Sequence, residues 1–164
     1  VQMAADLADS GEKLCTLGPI IHNEYVVNSL KARGVFPVDS LDDVPDGYSV
    51  VIRSHGVGRD VYDELSRRQM VFHDATCPFV SKIHRIVSEQ SAQGLPVFIC
   101  GDAKHPEVIG ICRHVSGEVH VVSGLSELEE QLRFLQYSTD AVFCLAAQTT
   151  FNTKEWNSCT FFLL

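Results

Sequence analysis

An α/β fold of repeated βα units with mainly parallel sheets is predicted for this chain from three observations. Short β-rich runs alternate with amphipathic stretches along the whole sequence, at the spacing of βα units. The amphipathic stretches carry helix start and stop signals, such as Pro78 and Gly94 around the third of them. Four of the strand-like runs are followed directly by a histidine or a cysteine at the mouth of the next helix: His22, His55, Cys77 and His105. In a parallel sheet the carboxyl ends of the strands share one edge, where ligands bind, so residues spread from 22 to 107 are expected to converge there.

In chain order, strands are expected at 13–17, 35–38, 48–53, 70–73, 95–100, 119–122 and 140–145. Helices are expected near 22–33, 58–69, 78–93, 105–114, 126–136 and 152–157. The helix over 22–33 places Val26, Val27 and Leu30 on one face and stops before Gly34. The helix over 78–93 is the best defined. Phe79, Val80, Ile83, Ile86 and Val87 follow an i, i+1, i+4, i+7, i+8 pattern, with Thr76 as its expected N-cap. Right-handed crossovers keep all strand ends on one side. A division near Ala75 to Cys77 separates a first α/β lobe, 1–76, from a second, 77–157. Residues 158–164 end abruptly in apolar side chains and read as an aberrant or truncated tail.

Composition narrows the function classes. A formal net charge of −8 argues against non-specific binding to nucleic acid or to an anionic membrane surface. No apolar run approaches the roughly 20 residues of a transmembrane helix, and the start shows neither a basic nor an apolar leader region. The 6 cysteines include no C-x-x-C pair, and Cys15, Cys100 and Cys144 fall within strand-like runs. Reduced thiols and a cytoplasmic location are therefore expected.

Cys77 is the first candidate for chemistry. At a helix N-terminus its sulfur meets backbone N–H groups and the positive end of the helix dipole, which favour the thiolate that attacks electrophiles or binds metal. The alternative is a small buried hydrophobe, which is how the other five cysteines read. His22, His55 and His105 share one topological slot and suit a shared anion site, although each alone could be a capping or solvated residue. Glu107 beside Pro106 is either a proton-holding carboxylate in a partly dry pocket or a first-turn acid stabilised by the helix dipole. Thr149, in Gln148-Thr149-Thr150 after the last strand, offers a hydroxyl in the same slot or caps a helix. His73, His84, His114 and His120 read as structural.

Five segments together resemble the LytB/IspH family, the hydroxymethylbutenyl diphosphate reductases of the non-mevalonate isoprenoid pathway. They are Leu-Gly-Pro-Ile-Ile-His-Asn at 17–23, Ile-Arg-Ser-His-Gly-Val at 52–57, Asp-Ala-Thr-Cys-Pro at 74–78 with Lys82-Ile83-His84, His-Pro-Glu-Val-Ile-Gly at 105–110, and Gln-Thr-Thr at 148–150. The resemblance implies two lobes of a three-lobed fold around a 4Fe–4S cluster, with Cys77 as the middle of three cysteine ligands. It implies that His22, His55 and His105 bind the diphosphate of an allylic substrate. It further implies that Glu107 delivers protons to the allylic hydroxyl and that Thr149 hydrogen-bonds near it. The reaction would be a reductive dehydroxylation to isopentenyl and dimethylallyl diphosphate, fed by an electron donor such as ferredoxin or flavodoxin.

This chain departs from the family pattern at two places. The family's first cluster cysteine, in a Gly-Phe-Cys segment, would fall before Val1, and the third belongs to a final lobe that has no counterpart here. One thiolate does not hold a cubane stably, so the isolated chain is expected to be an inactive fragment of the enzyme. Two readings from other classes stand beside it. One is a cysteine-dependent phosphatase or hydrolase using Cys77. The other is a non-catalytic phosphate-binding module that needs neither Cys77 nor metal.

Overall fold

The computed structural model describes residues 2–19, 23–138 and 140–163. The chain divides into two compact units, Val1–Pro78 and Phe79–Leu164.

The first unit runs α1 (Gln2–Asp9), β1 (Leu14–Leu17), α2 (Glu24–Ala32), β2 (Phe36–Val38), a 3₁₀ turn (Leu41–Asp43), β3 (Ser49–Ile52), α3 (Arg59–Arg67) and β4 (Phe72–Asp74). Its four strands are parallel in the order β2-β1-β3-β4. Alternate strand residues feed two cores, one on each face of the sheet. Leu14 and Val51 pack with Ala4, Ala5 and Leu30 on one side. Cys15, Val50 and Ile52 pack with Leu65 on the other. Burial on both faces explains why these strands read as continuous apolar runs. Helix α1 was not expected. Its buried side chains are the two alanines, too small to mark an apolar face, and packing on β1 rather than periodicity holds it.

The second unit runs from α4 (Pro78–Ala92), which starts at the division, through β5 (Val97–Cys100), α5 (Pro106–Cys112), β6 (Val119–Val122), α6 (Leu125–Phe134) and β7 (Cys144–Ala147) to α7 (Thr153–Phe162). The strands are parallel in the order β6-β5-β7. Val97 and Ile99 face α4 and α5 through Val87, Val108 and Ile111. Phe98 and Cys100 face α6 and α7 through Leu128 and Cys159.

Three local expectations need correction. Phe79 of α4 is exposed, and the buried face is Val80, His84, Val87 and Ser91. His84 is buried and stacks on His114 with ring centroids 4.0 Å apart. The last strand lies later than 140–145, because the run from Ala141 to Ala147 is apolar throughout and pairing with β5 decides its register. Helix α7, capped by Asn152, continues past 157 to Phe162. Cys159, placed by the sequence reading in an aberrant tail, is fully buried there against the second sheet.

Candidate functional site

His55 in the first unit, and His105, Glu107 and Thr149 in the second, stand where the strand order reverses, whereas Cys77 follows the edge strand β4. The first sheet reverses at β1 and β3, and the segments leaving those strands are Gly18-Pro19 and Arg53-Ser54-His55. The second reverses at β5 and β7, whose exits lead to His105 and Thr149. Such reversals open a crevice at the carboxyl edge, the usual ligand position in open α/β sheets.

In the first unit a tight turn presents His55. Gly56, buried at φ +69°, donates its N–H to the Arg53 carbonyl at 3.0 Å, a conformation suited to glycine. His55 itself is half-buried. Beside it β4 ends at Asp74, whose carboxylate folds back to accept the Thr76 N–H at 2.9 Å and the Thr76 hydroxyl. Tyr62 of α3 donates its phenol to the other Asp74 oxygen at 2.9 Å. Burial, opposed by the Thr76 contact and assisted by Asp74, pushes that phenol up to about 12. Thr76 is thus engaged with Asp74 rather than capping α4, and Cys77 is the residue that immediately precedes the helix. The Cys77 N–H donates to the Ser54 carbonyl at 2.9 Å, tying the cysteine loop to the histidine loop. The loops that carry His55 and Cys77 therefore lie side by side.

Arg53 was passed over in the sequence, although it sits inside the Ile-Arg-Ser-His-Gly-Val segment. Its guanidinium lies over Gly18, with Nη1 2.7 Å from where a Cβ on that glycine would stand. Its Nε is buried without a hydrogen-bond partner.

In the second unit His105 caps α5: its Nδ1 accepts the Glu107 N–H at 3.2 Å. Acceptance at Nδ1 puts the proton of the neutral ring on Nε2. Glu107 is buried, 1% exposed, on the inner side of that first turn. Its carboxylate accepts the Thr149 N–H at 2.6 Å and the Thr149 hydroxyl at 2.8 Å. The loop around this pair is closely set. Gln148 donates its backbone N–H to the Cys100 carbonyl at 2.9 Å, and its side-chain oxygen accepts the Asp102 N–H at 3.2 Å. His105, Glu107 and Thr149 thus form one constellation. His22 lies outside the described residues.

The thiols divide sharply. Cys15, Cys100, Cys144 and Cys159 are buried, and burial pushes all four upward, Cys100 to about 12. Cys112 is half-buried and also raised by desolvation, which leaves Cys77 as the half-buried thiol at a sheet edge. Among the described residues no three His, Cys, Asp or Glu side chains gather as a metal site. No helix among them is long and apolar enough to cross a membrane.

The family model described as LytB protein matches residues 1–163. The chain belongs to the LytB protein family. This LytB chain is 38% identical over 150 residues to the 4-hydroxy-3-methylbut-2-enyl diphosphate reductase of Clostridioides difficile (strain 630), a match covering 92% of this chain and 52% of that protein. It is 41% identical over 145 residues to the reductase of the same name from Alkaliphilus oremlandii (strain OhILAs), covering 88% of this chain and 50% of that one. A solved structure of (E)-4-hydroxy-3-methyl-but-2-enyl diphosphate reductase, the terminal enzyme of the non-mevalonate pathway, superposes with a TM-score of 0.81 at 33% identity, over 99% of this chain and 58% of that one. The Plasmodium falciparum E-1-hydroxy-2-methyl-but-2-enyl-4-diphosphate reductase shares the fold, with a TM-score of 0.87 at 22% identity over 99% of this chain and 50% of its own. The LytB chain spans about half the length of the curated relatives it matches. The family expected from the five segments and the parallel α/β architecture expected from the strand–helix alternation are both borne out.

Proposed function

We propose that this LytB chain is the part of a 4-hydroxy-3-methylbut-2-enyl diphosphate reductase that binds the diphosphate and carries the proton-handling carboxylate. The observation that carries the reading is the Glu107–Thr149 pair beside the His105 cap, at a strand-order reversal, in a chain whose curated relatives bear that enzyme's name.

In this reading His22, His55 and His105 hold the diphosphate, their ring N–H groups acting as donors to phosphate oxygen. Glu107 holds a proton for the substrate hydroxyl, which departs as water. A buried carboxylate fixed by two donors from one neighbour keeps a single orientation, which is what directed proton delivery requires. The Thr149 hydroxyl, already turned toward Glu107, orients the group that receives the proton. The net reaction consumes two electrons and two protons and yields isopentenyl or dimethylallyl diphosphate. An external electron donor of the ferredoxin or flavodoxin kind, and a cytoplasmic setting, belong to the same proposal.

A 4Fe–4S cluster, which the family resemblance implies, does not fit the residues of this chain alone. Cubane clusters need three or four protein ligands. Here Cys77 stands at the edge while the buried thiols of Cys15, Cys100, Cys144 and Cys159 are raised and enclosed. The chain would contribute one ligand, Cys77, to such a cluster, which would supply electrons when bound.

The test is substrate binding by calorimetry, followed by anaerobic reconstitution with iron and sulfide. Binding of the allylic diphosphate, weakened by His55→Ala and His105→Ala, is the expected result, together with no reductase turnover by the chain alone. A stable brown cluster with turnover would overturn the fragment reading. Hydrolysis of a phosphate ester without reductant, abolished by alkylating Cys77, would replace it with the phosphatase reading.

A further inference from the structure

We propose that Arg53 is the guanidinium anchor for a phosphate group of the ligand in the crevice between the carboxyl ends of β1 and β3. This inference rests on the diphosphate reading above and adds a binding residue to it.

Position is the first support. Arg53 is the residue that leaves β3, Gly18 the residue that leaves β1, and the strand order reverses between these neighbours. The guanidinium rests on Gly18, and its Nη1 occupies space that the Cβ of any other residue would enter. Gly18 is held firmly for that purpose. Its N–H donates to the Val38 carbonyl at 2.8 Å, its own carbonyl accepts the Thr16 hydroxyl at 2.8 Å, and its φ of +72° favours glycine independently.

Charge is the second support. Arg33, Arg67, Arg68 and Arg85 each pair with a carboxylate on the surface. Arg53 has no such partner among the described residues, and its Nε is buried without any hydrogen bond. Desolvation lowers its pKa, the mark of a cation held at a cost. In a chain with 21 acidic residues against 13 basic ones, leaving a partly buried guanidinium without a carboxylate is not a matter of supply. A desolvated cation with no internal counter-ion suits an external anion. The planar fork of arginine fits two phosphate oxygens at once, which a lysine ammonium does not.

The test is calorimetric titration of the chain with inorganic pyrophosphate at low salt, with unfolding curves recorded without ligand. Arg53→Met is expected to weaken pyrophosphate binding by about tenfold or more, as loss of a charge-assisted contact does. Arg53→Lys should fall between, and Gly18→Ala, which displaces the guanidinium, should weaken binding as well. Without ligand, Arg53→Met should unfold at the same denaturant concentration as the parent or higher, since an uncompensated cation has been removed; a purely structural arginine predicts a drop. Pyrophosphate binding by the parent that Arg53→Met leaves unchanged, while His55→Ala weakens it, overturns the anchor and spares the diphosphate reading. No binding by the parent overturns both. Should Arg53→Met fail to fold, Arg53→Lys decides, because undiminished affinity in that variant rules out the fork.

Discussion

The carboxylate of Glu107 takes two hydrogen bonds from a single residue, the N–H of Thr149 at 2.6 Å and its hydroxyl at 2.8 Å. One bond is to backbone and one to side chain, so they can be separated by mutation. Thr149→Val removes the hydroxyl donor while the N–H still reaches the carboxyl group, and should cost about 1–3 kcal/mol of stability, the range for leaving a buried acceptor short of a donor. Glu107→Ala deprives both donors and opens space in the core, and should cost more. Urea unfolding of the three proteins checks the order; a Thr149→Val loss equal to that of Glu107→Ala would show that the hydroxyl alone carries the link.

Tyr62 supports the turn that leads into Cys77 by donating to Asp74 at 2.9 Å. Its phenol is pushed up from 10.0 to about 12, chiefly by burial. The neutral form is therefore favoured by folding. The stabilisation is fully present below pH 10 and is lost as pH rises toward about 12. Unfolding measured across that window should show a fall in the parent that Tyr62→Phe reduces in part, because Cys100 and Tyr137 are raised as well. Absorbance titration should likewise show Tyr62 and Tyr137 ionising late, and a normal titration of all four would contradict the buried placement.

These two networks mark what the sequence could and could not reveal. The strand–helix alternation and the edge positions of His55, Cys77, His105, Glu107 and Thr149 were legible, because parallel βα units put strand exits on one side whatever the details. The partners were not. Nothing in the spacing of residues 107 and 149 says that one carboxylate collects both donors, since that depends on β5 and β7 being neighbours although β6 lies between them in sequence. Thr76 suits an N-cap by residue type, but the Asp74 carboxylate takes its hydroxyl and its N–H, and Cys77 stands between it and the helix. Arg53 carried no signal of its own, because an arginine after a strand is ordinary until its Nε is found buried without a hydrogen-bond partner among the described residues. Helix α1 escaped because alanines make a face without marking it.

Acid stability should depend on Glu64. Its carboxylate lies between Arg67 and Arg68 and is held from an ordinary 4.5 down to about 2, first by the two hydrogen bonds from Arg67 and then by the one from Arg68. The folded form binds its proton later than the unfolded chain, so the contribution is present above pH 4.5 and is lost as pH falls toward 2. The pair is exposed, so its effect should shrink with added salt. Glu64→Gln should flatten the decline of the melting temperature over this window at low ionic strength. An unchanged slope would mean that other carboxylates govern the acid limb.

Gly101, between β5 and the His105 turn, is expected to tolerate no side chain. A Cβ there would stand 2.8 Å from Val108 Cγ2 and 3.1 Å from the Cβ of Gln148. Both neighbours belong to the segments that carry Glu107 and Thr149, so the clash would spread them. Gly101→Ala should cost about 1–3 kcal/mol, as overpacking does. It should also raise amide hydrogen exchange at Thr149, whose N–H is the donor to Glu107. Full stability with unchanged protection there would show that the two segments can separate freely.

Thiol reactivity offers the most direct reading of how the six cysteines are placed. Alkylation requires both access and thiolate. Cys15, Cys100, Cys144 and Cys159 fail on access and are also raised by burial, Cys100 furthest, to about 12. Cys112 is partly accessible but raised by desolvation. Cys77 is partly accessible and lies in the loop just before α4. Brief treatment of the folded chain with iodoacetamide at pH 8 should therefore modify Cys77 first and Cys112 more slowly, as peptide mass spectrometry would report. The four buried thiols should react only after denaturant is added. Cys77→Ser should abolish the fast phase without changing the others. Early modification of Cys100 or Cys159 would mean that α7 opens from the second sheet in the native state.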